Sequence, residues 1–323
     1  MTSKPGNLAN YLILVTGASG FLGRRLVRRL LERGACVVSI DLVPLSAELT
    51  RSTMGSGTLT HLVGDLNSIE FINRVMDKVA AGSRSDLALF HFSGSSHVGQ
   101  CEADPLKCVQ MNVIQTAHLL EACRRVGIRR VLFPSTALVY GENSSAPLTE
   151  EHPVNPQTIY ASTKLAAEAV IQGYGWSYSF SCDIARLGNV YGAAANPDTA
   201  VSTALRHASL GGPVVLRALK PVRDFIYCED VAEGFIQLLI SGEDPGSRII
   251  NLSTGEGVSI GQMAKLVCRI AGIKDEIAES GLDETCNDSK LVLANEKLIR
   301  RTAWRPAFSL LEGLRAAWEE IYG

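Results

Sequence analysis

The chain is expected to fold as an α/β protein: a doubly wound parallel sheet with a smaller mixed C-terminal substrate domain. Three observations predict this. Short apolar runs without period-2 alternation recur up to Asn189, as strands covered on both faces do. Stretches of helical period separate them, and glycine or polar residues stand at the end of most runs, the edge where such sheets bind ligands.

Residues 12–16 form the first run and end in Gly17-Ala18-Ser19-Gly20-Phe21-Leu22-Gly23. From Gly20 the spacing becomes helical. Leu22, Leu26, Leu30 and Leu31 share one side, and Arg24, Arg25, Arg28 and Arg29 lie largely on the other, as a solvated face does. Gly34 stops that helix, and a second strand over 36–40 ends at Asp41. Residues 59–63 predict a strand ending at Asp65-Leu66, residues 69–80 a helix, and residues 87–92 a strand ending in Ser93-Gly94-Ser95-Ser96. One helix is expected from about Pro105 to Val126, with proline at a first-turn position. Strands over 130–135 and 180–186 flank a helix starting near Ile159.

Beyond Asn189 the regularity weakens. Strands are expected over 223–227 and 248–252, and helices over 230–240, 260–271 and 310–321. The expected division is a sheet domain over 1–189, joined by roughly 226–252, and a cap formed by 190–225 and 253–323.

Composition excludes several partners. Hydrophobic residues make up 46% and charged residues 20%, and a net charge of −2 gives no global field for nucleic acid or an anionic membrane. No apolar run reaches the ~18 residues needed to span a bilayer, and the N-terminus lacks signal-peptide features, so a cytoplasmic protein is expected. The eight cysteines are scattered, with no CxxC pair, and are expected to be reduced, mostly buried and free of metal.

The first strand, its glycine turn, the helix and the strand ending at Asp41 make a dinucleotide-binding unit. Close glycines let the backbone approach a pyrophosphate, helix N-terminal amides supply a positive pole, and an acid about 20 residues on accepts from ribose hydroxyls. A carboxylate at Asp41 repels a 2′-phosphate and no Arg follows it directly, so NAD is expected rather than NADP.

Tyr160-Ala161-Ser162-Thr163-Lys164 supplies the chemistry. On a helix, Tyr160 and Lys164 lie on one face a turn apart. A nearby ammonium favours the phenolate, so Tyr160 is the expected base and acid, Lys164 its tuner and a ribose contact, and Thr136 a hydrogen-bond partner for the reacting oxygen.

On these residues the chain resembles the extended short-chain dehydrogenase/reductases, in particular the NAD-dependent nucleotide-sugar epimerases and dehydratases with a Rossmann sheet. TGASGFLG (16–23) resembles the family's TGxxGxxG, implying that Gly17, Ser19, Gly20, Phe21, Leu22 and Gly23 line the cofactor. Asp41, Asp65 and Leu66 match its ribose and adenine contacts. His91-Phe92-Ser93-Gly94 is similar to its HxAG strand end, and Asn112 to its helix Asn; Phe92, Ser93, Gly94, Asn112, Tyr160, Lys164 and the strand-end Leu187 complete the implied cofactor set. PSTALVYG (134–141) sits where the family has SSxxVYG, and YASTK supplies its Tyr and Lys. RLGNVYG (186–192) and RDFIY (223–227) imply that Asn189 and Arg223 hold substrate phosphate, with Ser96 and Thr136 also facing substrate. TAWRPAFSLLEGL (302–314) is similar to the family's C-terminal LGWxPxxxLxEGL.

Departures from the family narrow the reaction. Its dehydratases carry an acid just after the catalytic Thr, where Ala137-Leu138 stand here. Its usual GDG before RDF is replaced by Arg217-Ala218-Leu219-Lys220-Pro221-Val222, and its basic RPGD-like segment by Gly281-Leu282-Asp283-Glu284. Three readings stand: a nucleotide-sugar C4 epimerase acting through a 4-keto intermediate; a 4-ketosugar reductase or sugar dehydrogenase using free cofactor; and a non-catalytic NAD-binding module. The apolar helices near 105–126 and 159 are expected to pack as a homodimer four-helix bundle, as the family's often do, although core burial accounts for the same residues.

Overall fold

The computed structural model describes residues 7–46, 56–82, 86–141, 147–242, 244–280 and 289–323. They cluster into two compact units. The first comprises Met1–Val139, Pro156–Ala185 and Ala232–Ile250; the second comprises Tyr140–Asn155, Arg186–Val231 and Asn251–Gly323. Among the described residues no helix is long and apolar enough to cross a membrane.

The main sheet is built from β1 (Tyr11–Thr16), β2 (Cys36–Asp41), β3 (Thr58–Val63), β4 (Asp86–His91), β5 (Arg130–Thr136), β6 (Ser181–Leu187) and β10 (Gly246–Leu252). Its order is β10-β6-β5-β4-β1-β2-β3, and the pairings from β5 through β3 are parallel. Successive strands are added in one direction from β1 to β3 and in the other from β4 onward. The crevice between β1 and β4 is therefore the topological switch point, where doubly wound sheets bind ligands.

Helices cover the sheet: α1 (Gly23–Glu32), α2 (Ile69–Ala80), α3 (Val98–Ala103), α4 (Pro105–Val109), α5 (Gln115–Val126) and α6 (Ile159–Tyr178). Strand residues Leu12, Leu14, Val38, Leu89, Val131 and Phe133 pack with Phe71, Ile72, Val75, Leu119, Ala167 and Ile171 in one buried cluster. Apart from Ala167, each such side chain contributes about 1.5–3 kcal/mol on full burial.

The helix expected from Pro105 to Val126 is observed, with one π turn inside it. Pro105 starts α4 with Asp104 capping it, the Asp104 carboxylate accepting from Lys107 N at 3.0 Å, and a π-helical turn spans Gln110–Ile114 before α5. Hydrophobic spacing cannot register that turn, because one added residue leaves the apolar pattern on both sides intact. A further helix, α3, precedes α4 and meets it at Asp104. Across the corner between α3 and α4, at Asp104, Cys101 and Cys108 form a disulfide with Cα atoms 5.1 Å apart, correcting the expectation that all cysteines are reduced. Two turns meeting at a helix corner bring together thiols seven residues apart that carry no sequence motif.

The second unit contains β7 (Asn189–Tyr191), β8 (Val214–Leu216), β9 (Val222–Tyr227), β11 (Gly257–Ser259), β12 (Ile277–Glu279) and β13 (Lys290–Leu291). β9 is central, pairing with β7, β11 and β13, while β8 pairs with β12. Most of these strands have two or three residues, too few to leave a period in the sequence. Helices α7 (Ala200–Ser209), α8 (Cys228–Ile240), α9 (Ile260–Ala271), α10 (Glu296–Thr302) and α11 (Leu310–Tyr322) complete the helices described; α8 is divided between the units. Asp224, fully buried, ties the small sheet to its loops. Its carboxylate accepts from Thr254 N and Oγ1, Gly255 N and Leu293 N.

Candidate active site

The glycine turn closes tightly against the switch point. Gly17 has φ +69°, and a Cβ there would lie 2.6 Å from the backbone of Phe92 and Ser93; a Cβ on Gly23 would lie 2.0 Å from the Gly17 carbonyl. α1 starts without a side-chain cap, its N-cap being Leu22; Arg24 N donates to Gly20 O, and no side-chain oxygen caps the first turn. Gly20 is exposed beside them. This donor set fits a pyrophosphate, because uncapped amides and the positive pole of the dipole converge at one point. Asp41 lies at the end of the adjacent strand. Its Oδ2 accepts from Ser19 N at 2.9 Å and its Oδ1 from Leu42 N at 2.7 Å. Asp65 is exposed and accepts from Asn67 N, while Leu66 is buried.

Beneath the turn a chain of hydrogen bonds sets the β1 and β4 ends. Thr116 Oγ1 donates to Asn112 O (2.7 Å), so it accepts from His91 Nε2 (2.9 Å). Ser93 N donates to Thr16 Oγ1, which donates in turn to His91 Nδ1 (2.8 Å). The network thereby assigns the proton to Nε2 of a neutral imidazole. Burial, helped by the Lys164 charge, pushes His91 down to about 3.

Asn112 lies within the π turn and is buried. Its Oδ1 accepts from Ser95 N at 2.7 Å, and its Nδ2 donates to Ser95 O and to Thr163 Oγ1. It therefore links the loop after β4, carrying Phe92, Ser93, Gly94 and the exposed Ser96, to the helix that bears Tyr160 and Lys164.

That helix, α6, starts under two restraints. Thr158 caps it through Ala161 N (3.1 Å), and Glu102 Oε1 accepts from Ile159 N (2.9 Å). Tyr160 is half-buried and hydrogen-bonded to Thr136 at the end of β5. Burial pushes its phenol up to about 12, with the Thr136 bond acting in the opposite sense. Lys164 follows one turn later, buried, its Nζ 3.9 Å from the centre of the Phe133 ring. Burial pushes its ammonium down to about 7 and the Glu168 carboxylate acts against that. Thr136 and Tyr160 are thus brought together within the first unit, and Lys164 lies one turn on along the same helix against Phe133. The groups that shift the Tyr160 phenol are its burial and Thr136, correcting the expectation that Lys164 lowers it. Ala137, also buried, follows Thr136.

Sequence reading missed two members of this cluster. Phe133 lies three residues before Thr136, and Glu168 repeats the four-residue spacing of Tyr160 and Lys164; that extended spacing was the available signal.

In the second unit Leu187 ends β6 and is buried, and Asn189 opens β7 in an exposed position. Asn189 pairs with Phe225, two residues from Arg223, so the structure places Asn189 and Arg223 on neighbouring strands. Arg223 Nη1 donates to Val222 O and Ser289 O. Gly281-Leu282-Asp283-Glu284 lie outside the described residues.

Comparison with known proteins agrees with this geometry. The UDP-glucose 4-epimerase of Azospirillum brasilense is 29% identical over 95% of this chain and 91% of its own length. A trifunctional UDP-glucose 4,6-dehydratase/UDP-4-keto-6-deoxy-D-glucose 3,5-epimerase/UDP-4-keto-L-rhamnose-reductase of Arabidopsis thaliana is 28% identical over 94% of this chain, which spans about half (46%) of that protein. The crystal structure of the Thermus thermophilus UDP-glucose 4-epimerase in complex with NAD superposes with a TM-score of 0.83 at 29% identity, covering 97% of this chain and 99% of that one. The NAD dependent epimerase/dehydratase family model matches residues 13–253. With its parallel sheet, its glycine turn, its Thr at the end of β5 and its Tyr and Lys one turn apart on α6, this chain belongs to the NAD dependent epimerase/dehydratase family and is an enzyme that uses NAD.

Proposed function

We propose that this enzyme inverts C4 of a nucleotide sugar, of the UDP-glucose kind, through a 4-keto intermediate. The observation that carries the reading is the Thr136–Tyr160 hydrogen bond with Lys164 one turn on and Ala137-Leu138 after Thr136: an alcohol can be oxidised and reduced there, and neither residue following Thr136 is an acid that could expel water. The named relatives that are UDP-glucose 4-epimerases support the substrate class.

NAD, when bound, supplies reversible hydride acceptance and a positive charge beside the reacting carbon. The chain does the rest. Tyr160 takes the C4 hydroxyl proton, and Thr136 donates to the same oxygen as charge develops. Lys164, as an ammonium, lowers the cost of the phenolate. After the ketosugar turns its other face, Tyr160 returns the proton to the oxygen. Gly17, Ser19, Gly20, Phe21, Leu22 and Gly23 would hold the pyrophosphate, and Asp41, Asp65 and Leu66 the adenosine. Phe92, Ser93, Gly94 and Leu187 would flank the nicotinamide half, with Asn112 acting through the loop it holds. Asn189 and Arg223 would take the substrate phosphates and Ser96 the sugar.

The same proposal makes the enzyme a cytoplasmic homodimer. Leu106 (83% exposed), Val109 and Ile114 on the helix from Pro105 to Val126, and Trp176 (85% exposed) on α6, are the apolar positions that support an interface. The Cys101–Cys108 disulfide is buried and so shielded from a reducing pool.

The test is to denature the purified protein, identify the small molecules released by mass, and incubate the native protein with UDP-, GDP- and TDP-sugars. Released NAD and C4 inversion without net use of added NADH are expected. Stoichiometric NADH consumption overturns the epimerase in favour of a ketosugar reductase.

A further inference from the structure

We propose that Glu168 is a positioning residue for the Tyr160–Lys164 pair: Ser135 holds its carboxylate one turn beyond Lys164, on the same helix face, where it keeps that ammonium charged. The proposal rests on the reading of Tyr160 as base.

Tyr160, Lys164 and Glu168 follow one another at four-residue intervals on α6, so their side chains stack along one face. Glu168 is buried, and the Ser135 hydroxyl donates to its Oε1. The last two residues of β5 therefore both grip α6, Thr136 at Tyr160 and Ser135 at Glu168. A buried carboxylate without compensation is costly, and a glutamine of the same shape would accept the serine proton equally well. A carboxylate at this position, unlike a glutamine, also acts on the neighbouring Lys164 cation.

Among the described residues around α6, His91, Phe133, Glu102, Lys107 and Glu121 do not offer that charge. From β4, His91 is neutral, and from β5, Phe133 offers only its ring face. Glu102 of α3 accepts from the amide at the start of α6, and Lys107 of α4 is exposed. On α5, Glu121 pairs with Arg124 and Arg125 beside Tyr174, at the far end of the helix. Burial drives Lys164 down and Glu168 is the group that opposes it.

The consequence is a distinctive pH profile. The active form needs Tyr160 ionised while Lys164 keeps its proton. The rate therefore rises with pH as the phenolate forms, and levels off once Lys164 begins to lose its proton. With the Glu168 charge removed, levelling begins at lower pH and the plateau drops, while the acid end is unchanged.

The experiment compares wild type and Glu168→Gln as full chains with saturating NAD. kcat with UDP-glucose is measured across pH, and the Lys164 resonance, identified by its loss in Lys164→Met, is titrated by NMR of lysine labelled with ¹³C at Cε. Expected for Glu168→Gln are equal rates at the acid end, levelling about one pH unit lower, a plateau about tenfold lower, an unchanged KM, and a Lys164 pKa about one unit lower. A deficit equal at every pH, or an unmoved Lys164 titration, overturns the proposal and leaves Glu168 a packing residue. If Glu168→Gln fails to fold, Ser135→Ala is read in the same way, with a smaller shift in the same direction. Should wild type turn over no nucleotide sugar, the C4 epimerase reading fails, while the Lys164 titration still decides the role of Glu168.

Discussion

The Lys164 ammonium lies 3.9 Å from the centre of the Phe133 ring, and both groups are buried. A cation over an aromatic face in a desolvated site is stabilised by about 0.5–2 kcal/mol. Phe133→Leu keeps an apolar body but loses the face, so Lys164 is expected to give up its proton more readily. kcat at pH 7 should fall roughly 2- to 30-fold, the same energy expressed as a rate, with stability lowered by about 1–3 kcal/mol for the smaller core side chain and the lost contact. Steady-state kinetics and urea unfolding check the two halves separately.

Tyr160→Phe removes the hydroxyl that exchanges a proton with substrate while leaving the ring that fills the site. Turnover is expected to fall by at least about 10²- to 10⁴-fold. NAD binding, followed by calorimetry, should change by less than about tenfold, because Tyr160 is only one of many proposed contacts. Equal losses in both would remove Tyr160 from the proposed chemistry.

Acid stability should report His91. Its folded pKa is about 3 against an ordinary value of 6.5. Between those values the unfolded chain binds a proton that the native chain refuses, so stability falls as pH falls, by about 1.4 kcal/mol per unit. From pH 6.5 to 4.5 this group alone contributes a loss of about 2–3 kcal/mol. His91→Gln keeps a donor and an acceptor without the titration, and urea unfolding at the two pH values should show a correspondingly smaller loss.

Gly23→Ala places a Cβ 2.0 Å from the Gly17 carbonyl, and backbone on both sides leaves no flexible atom to yield. The turn must open. A destabilisation of about 2–4 kcal/mol and loss of NAD binding are expected, measured by thermal unfolding with and without the cofactor. Gly20→Ala, whose Cβ meets only the Gly17 carbonyl at 3.1 Å, should be milder.

Asp224→Ala should loosen the second unit, since three backbone amides and the Thr254 hydroxyl lose one acceptor. A cost of about 3–5 kcal/mol is expected, and hydrogen exchange at Thr254, Gly255 and Leu293 locates it.

The parallel sheet could be read from the chain because each strand buried on both faces writes a continuous apolar run, and the expected strand and helix limits in the first unit fall within a few residues of those observed. α1 starts at Gly23, not Gly20, because the glycine turn uses the intervening residues to return toward β4. The π turn escaped notice, and with it the reason why Asn112 faces both Ser95 and Thr163. Strands of two or three residues around β9 left no period at all.

By itself, the order of residues determined the alternating strands and helices, the glycine turn with Asp41 at the next strand end, and the four-residue interval between Tyr160 and Lys164. All of these are local, written in spacings shorter than one element. Only tertiary structure decided how charged the pair would be. It buried Lys164 against Phe133, brought Ser135 to Glu168 from 33 residues away, and closed Cys101 onto Cys108 across a helix corner. Electrostatic energies depend on depth and on neighbours from other segments, and neither is written in the spacing of one helix.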